Sequence, residues 1–171
     1  MRKVVFSFCF LFLSSFTLAQ TKTKMSGTLK CGKDTIEHVV PVGDHPNHSL
    51  GVSQGNCTWT KPWRIAGLAA KDGLATGTVD ADGGVAHTRG VYVDTMENGD
   101  KAVYHIRATV ITKNGQAQIT SHEWQLVEGT GKLKGFKGQG TCKVTLNPDD
   151  SADYECTGAY TVPKQGVKSK A

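Results

Sequence analysis

The chain has 171 residues, 20 Lys plus Arg against 15 Asp plus Glu, and a formal net charge of +5. That length suits one domain able to bury a core of its own. The charge excess is mild and partly sits on Lys164, Lys168 and Lys170, which argues against the dense basic footprint of a nucleic-acid binder.

Residues 1–20 open with Arg2 and Lys3, continue through an apolar stretch from Val4 to Phe16, and end on Thr17-Leu18-Ala19. A basic start, an apolar centre and small residues at the exit predict a signal peptide cleaved near Ala19/Gln20, and hence a secreted or periplasmic protein. The apolar run is shorter than the roughly 20 residues that span a bilayer, so no membrane span is expected. Residues 21–163 are expected to form a single β domain, and 164–171 a disordered basic tail. Cys9 leaves with the signal peptide, so Cys31, Cys57, Cys142 and Cys156 remain. An even number in an exported chain predicts two disulfides, with three possible connectivities. The turn signal Asn147-Pro148-Asp149-Asp150-Ser151, centred on Asp149, places Cys142 opposite Cys156 across a hairpin, within bridging reach. Cys31 then pairs with Cys57 by elimination; a metal site built from those two and nearby histidines is the rival, without a paired C-x-x-C knuckle to support it.

The 20 glycines split the chain into short β-prone runs, and no long stretch carries helical apolar spacing. The runs are 26–31, 35–41, 49–54, 57–60, 64–69, 74–80, 87–96, 101–112, 116–127, 138–146 and 152–162. Their regular spacing, with a meander from residue 87 onward, predicts an antiparallel up-and-down β-barrel of about eight strands.

Asn98-Gly99 and Asn114-Gly115 are strong hairpin signals, because both positions tolerate positive φ. Read as two-residue loops, they create the cross-strand rows Tyr92–His105–Trp124 and Gly90–Arg107–His122 on one face. Tyr92, His105, Arg107, His122 and Trp124 are therefore the candidate ligand-binding residues, offering aromatic walls and convergent donors if that face lines a barrel. A one-residue slip in either turn would send side chains to the opposite face. An exterior stripe stabilising cross-strand pairs is the competing reading of the same residues.

Other motifs carry less chemistry. His45-Pro46-Asn47-His48 holds two histidines, but Pro46 and Asn47 make it a loop, and no metal is expected there. The segment Gly129-Thr130-Gly131-Lys132-Leu133-Lys134-Gly135-Phe136-Lys137-Gly138-Gln139-Gly140 fits neither G-x-x-x-x-G-K-[ST] nor a dinucleotide fingerprint, and no cofactor is implied. It reads as a connection between strands whose glycines permit close packing of a barrel wall. There is no G-x-S-x-G and no H-E-x-x-H. Asn47-His48-Ser49 and Asn56-Cys57-Thr58 match the N-glycosylation pattern.

The segments running from His48 to Pro62 and from Tyr92 to Lys101, together with the glycine-rich segment, resemble a group of small exported bacterial proteins of uncharacterised function. The glycine-rich segment is also similar to the G-x-G-x-[FL]-x-G-x-x-G hairpin of the allene oxide cyclase and dirigent barrels. That resemblance implies an eight-stranded antiparallel barrel, calycin-like, around an apolar cavity. The catalytic residues of those families have no place on this chain, so none is assigned here. The expected function is non-enzymatic binding of a small apolar or aromatic ligand. An isomerase or cyclase of the allene oxide cyclase or dirigent type and a filled structural barrel are the alternatives.

Overall fold

A computed structural model describes residues 21–163. The expected signal peptide and basic tail lie outside those residues. The strands are β1 (Lys22–Cys31), β2 (Ile36–Pro41), β3 (His48–Lys61), β4 (Arg64–Ile65), β5 (Leu68–Asp82), β6 (Val85–Met96), β7 (Lys101–Lys113), β8 (Gln116–Gly129), β9 (Lys137–Leu146) and β10 (Ala152–Thr161). A short 3-10 helix, Gly131–Leu133, joins β8 to β9. From β5 to β10 each strand pairs with the next, β10 pairs with β1, β1 with β3, and β3 with β5. This closes an eight-stranded antiparallel barrel, as the sequence predicts. β2 lies beside the first half of β3, and β4 forms a two-residue ribbon with β5.

Local chemistry explains the departures from the expected runs. Residues 49–54 and 57–60 join into one strand, β3. Gly55 continues it, where a Cβ would lie 2.5 Å from Asp34 Oδ1. Run 64–69 is instead a tight turn, because Ala66 and Gly67 both take positive φ (51° and 82°) and reverse the chain. Cys31–Cys57 and Cys142–Cys156 are both disulfide-bonded across directly paired strand positions. Loops of this size lower the entropy of the unfolded chain by about 3 kcal/mol each in the chain-entropy account.

The register around β7 differs from the expected one. Asn98 does not adopt positive φ; its side-chain Oδ1 accepts from Asp100 N at 3.1 Å, while Gly99 (φ 86°) alone turns left-handed and donates to Met96 O. The loop therefore has three residues, and Tyr92 faces Tyr104. At Asn114-Gly115 both residues are left-handed and Lys113 pairs with Gln116 as expected, but a bulge beyond Thr109 shifts the ladder by one as far as Tyr104, and a second between Tyr104 and Val103 shifts it once more. The loop and the first bulge add to a two-residue displacement between β6 and β8, which keeps their faces, so from Tyr104 to Thr109 only β7 is inverted.

The barrel is closed and filled at one end. Leu126 and Tyr104 are 1% exposed there, with Ile65, Ala102 and Leu133 at 0%. At the other end β8 and β9 part beyond the Glu123–Thr141 pair, and the outer halves of β3, β5, β6, β7 and β8 continue as a curved sheet. Gly140 and Gly158, paired across β9 and β10, lie beneath the Trp124 indole, whose Cζ2 would be 2.4 and 2.3 Å from a Cβ at those positions. Gly140→Ala is expected to lower stability by about 2 kcal/mol, because backbone and indole must both give way. Gly32→Ala, with nothing within 4 Å, should change it by under about 0.5 kcal/mol in the same urea denaturation series.

Candidate functional site

Inward positions of the strands build the site. Trp59 on β3, Trp63 after it, Tyr92 and Asp94 on β6, Tyr104 and Ile106 on β7, His122 and Trp124 on β8, and Tyr154 on β10 all meet inside the barrel. The aromatic rings pack in a chain: Trp59–Trp63 at 4.5 Å, Trp63–Trp124 at 5.1 Å, Trp63–Tyr104 at 5.5 Å and Tyr104–Trp124 edge-on at 5.8 Å.

Asp94 is 0% exposed. Trp59 Nε1 donates to its Oδ1 at 2.7 Å and Trp63 Nε1 to its Oδ2 at 3.0 Å. Burial pushes its carboxyl up to about 6, against the pull of these donors. The Tyr92 and Tyr104 hydroxyls are near enough to favour its charge, yet neither reaches it in hydrogen-bonding geometry. The buried carboxylate in turn adds to desolvation in holding both phenols well above their ordinary value.

Beside this cluster is an inner chamber of about 50 Å³, lined among others by Ala75, Tyr92, Tyr104, His122, Trp124 and Tyr154. Four buried polar atoms on its lining residues have no protein partner: Tyr92 Oη, Tyr104 Oη, His122 Nδ1 and Trp124 Nε1. Burial lowers His122 to about 4, so the imidazole is neutral at pH 7. The chamber shares Cys31, Ala75, Ile106 and Tyr154 with a wider funnel of about 400 Å³ at the open end. Ser53, Gly55, Gly77, Thr88 and Ala152 give the funnel small walls, with Lys33, Asp34 and Glu37 at its rim.

Of the five residues predicted from sequence, the structure brings Tyr92, His122 and Trp124 together inside. His105 and Arg107 are corrected to the outer face, because β7 is inverted by the three-residue loop and the bulge. There they line an open groove with Arg89, Glu123 and Gln125. Sequence reasoning missed Trp59, Trp63, Asp94 and Tyr104. Asp94 carried a readable signal, since it alternates with Tyr92 and Met96 on one face of a β-prone run.

No family model matches the chain, and no curated protein matches it in sequence. Among solved structures it is similar to the pterocarpan synthase dirigent protein GePTS1 (TM-score 0.50, 13% identity, 94% of this chain and 100% of that one). A second pterocarpan synthase dirigent protein, PsPTS1, matches with TM-score 0.50 and 14% identity over 86% of this chain and 100% of the other. A DUF3224-family protein of unknown function from Shewanella oneidensis MR-1 matches with TM-score 0.44 and 19% identity over 81% and 96%. At these identities the likeness to the two dirigent structures is one of fold: an antiparallel β-barrel.

Asp94 and His122 act in opposite senses over one pH window. Asp94 holds its proton more tightly when folded, so its contribution is full below 3.8 and is lost as pH rises to about 6. His122 is kept neutral, so its contribution is full above 6.5 and is lost as pH falls toward about 4. Thermal melts between pH 4 and 6.5 should therefore show stability rising with pH in Asp94→Asn. In His122→Phe it should fall, by up to about 3 kcal/mol. The wild type should be flatter than either, and parallel profiles for all three would contradict these two burials.

Proposed function

We propose that the protein is exported by residues 1–20 and binds, without catalysis, a small ligand with an apolar or aromatic body and a polar end. The observation that carries this reading is the funnel narrowing onto an aromatic chamber whose lining residues Tyr92, Tyr104, His122 and Trp124 each hold a buried polar atom without a protein partner. Buried polar groups normally have partners, and four without one on residues of the same chamber support a place for a guest or for water. The funnel of about 400 Å³ has the size of a ligand pocket, and the chamber of about 50 Å³ has room for a polar head. In this reading Tyr104, Tyr154 and Ile106 join Tyr92, His122 and Trp124 as contacts, and His105 and Arg107 take no part. The two disulfides fit an oxidising compartment, and no helix among the described residues is long and apolar enough to cross a membrane.

A second reading, an isomerase or cyclase, is favoured by the convergence of a carboxyl group, two phenols and an imidazole inside the barrel. Against it, Asp94 is not among the residues lining the chamber, and both its oxygens are taken by indole N–H groups. Proton transfer from it to a guest would first require an indole to move away.

Titration of intrinsic tryptophan fluorescence with a panel of small phenols and aliphatic alcohols tests the proposal. Saturable binding is expected for at least one class, weakened at least about tenfold in Ala75→Phe, which plugs the junction of funnel and chamber. Absence of binding across the panel would favour the filled structural barrel, and conversion of a bound ligand would favour the enzyme.

A further inference from the structure

The loop between β2 and β3 carries a cluster that the barrel site does not use. Asp44, His45 and His48 offer ligand atoms within 4.8 Å of one another. His48 Nδ1 lies 2.8 Å from Asp44 Oδ1, and His45 Nδ1 lies 3.1 Å from the same oxygen. The other nitrogen of each ring faces a carboxylate at the end of β5: His45 Nε2 is 2.9 Å from Asp82 Oδ1, and His48 Nε2 is 3.1 Å from Asp80 Oδ1. The strand register produces this, because it sets His48 directly opposite Asp82, with Asp80 two residues along the same face.

His48 is hydrogen-bonded to carboxylates through both ring nitrogens, whereas His45 is bonded through Nε2 and brings Nδ1 to 3.1 Å from Asp44 Oδ1, which also accepts from the His45 backbone N–H. With Nε2–H donated to β5, both Nδ1 atoms stand beside the Asp44 carboxylate with their lone pairs open to a cation. No Lys or Arg pairs with Asp44, Asp80 or Asp82 among the described residues, so the two imidazoles are the cationic or metal-ligating groups these three carboxylates meet. Asp80 and Asp82 accept from Nε2 and so hold the rings as carboxylates commonly hold metal-ligating histidines, with Nδ1 turned to the cluster.

We propose that Asp44, His45 and His48 bind a divalent transition-metal ion through the Asp44 carboxylate and the two Nδ1 atoms, with Asp80 and Asp82 as positioning residues. The ion takes up the two Nδ1 lone pairs, and any proton held there is released to solvent. Imidazole with carboxylate suits zinc or copper rather than magnesium or calcium, which prefer all-oxygen sets. Water completes the coordination at this exposed position. Bound metal would staple the β2–β3 loop to the end of β5, at the open end of the barrel.

Isothermal titration of untagged protein with zinc chloride at pH 7.5 tests this. One ion per chain is expected, with protons released, no comparable magnesium binding, and a raised melting temperature. His45→Gln, His48→Gln and Asp44→Asn should each weaken zinc binding at least about tenfold, and Asp80→Asn or Asp82→Asn should do so by about tenfold. His87→Gln, on β6, should leave it unchanged. Asp44 and His45 lie in an exposed loop and His48 at the start of β3, and an unchanged circular dichroism spectrum verifies that each variant is folded. No zinc binding at millimolar concentration, or equal binding in the His45→Gln/His48→Gln double variant, would overturn the proposal. Neither result bears on ligand binding in the funnel.

Discussion

Two indole N–H groups meet on the Asp94 carboxylate, and the filling of the closed end depends on that meeting. A carboxylate with no exposure is costly to bury, and two N–H donors offset part of that cost. They also hold Trp59 and Trp63 in one orientation. Trp63 then packs against Tyr104 and Trp124, so the largest side chains form a single connected plug. Loss of one donor would leave a buried acceptor short of a partner and would free an indole to swing toward the chamber.

The plug fits because glycines make room for it. A Cβ at Gly73 would stand 1.9 Å from Tyr92 Oη, and the Trp124 indole spreads over Gly140 and Gly158. The glycine-rich segment thus contributes through Gly140, as clearance for an indole. The disulfides lie just above the plug, Cys31–Cys57 tying β1 to β3 and Cys142–Cys156 tying β9 to β10. Beyond them few residues are buried and the β8–β9 ladder ends, so the structure passes from a rigid base to a looser mouth. A binding site at that junction combines preorganised polar atoms below with adaptable walls above.

The strand runs, the hairpin pairing Cys142 with Cys156 and the barrel architecture were legible in the sequence, because turn residues and alternation are local signals. The register of β7 was not. Asn98 chose a side-chain hydrogen bond to Asp100 over a left-handed backbone, and both conformations suit an Asn-Gly pair. The bulge beyond Thr109 left no compositional mark. Tyr92, His122 and Trp124 kept a common face because the two shifts add to two residues, one full side-chain period, whereas His105 and Arg107 moved by one and changed face. The pairing of Asp94 with Trp59 and Trp63 joins residues more than 30 positions apart, and only the closed barrel brings them together.

The three tryptophans allow a direct measurement. In a ¹H–¹⁵N spectrum, the Trp59 and Trp63 indole N–H signals should be protected from hydrogen exchange and should stay in place when a ligand is added. The Trp124 indole N–H, which has no protein partner, should shift on binding. Rapid exchange at Trp59 and Trp63, or a bound ligand that leaves Trp124 unmoved, would contradict a plugged barrel with its site above the plug.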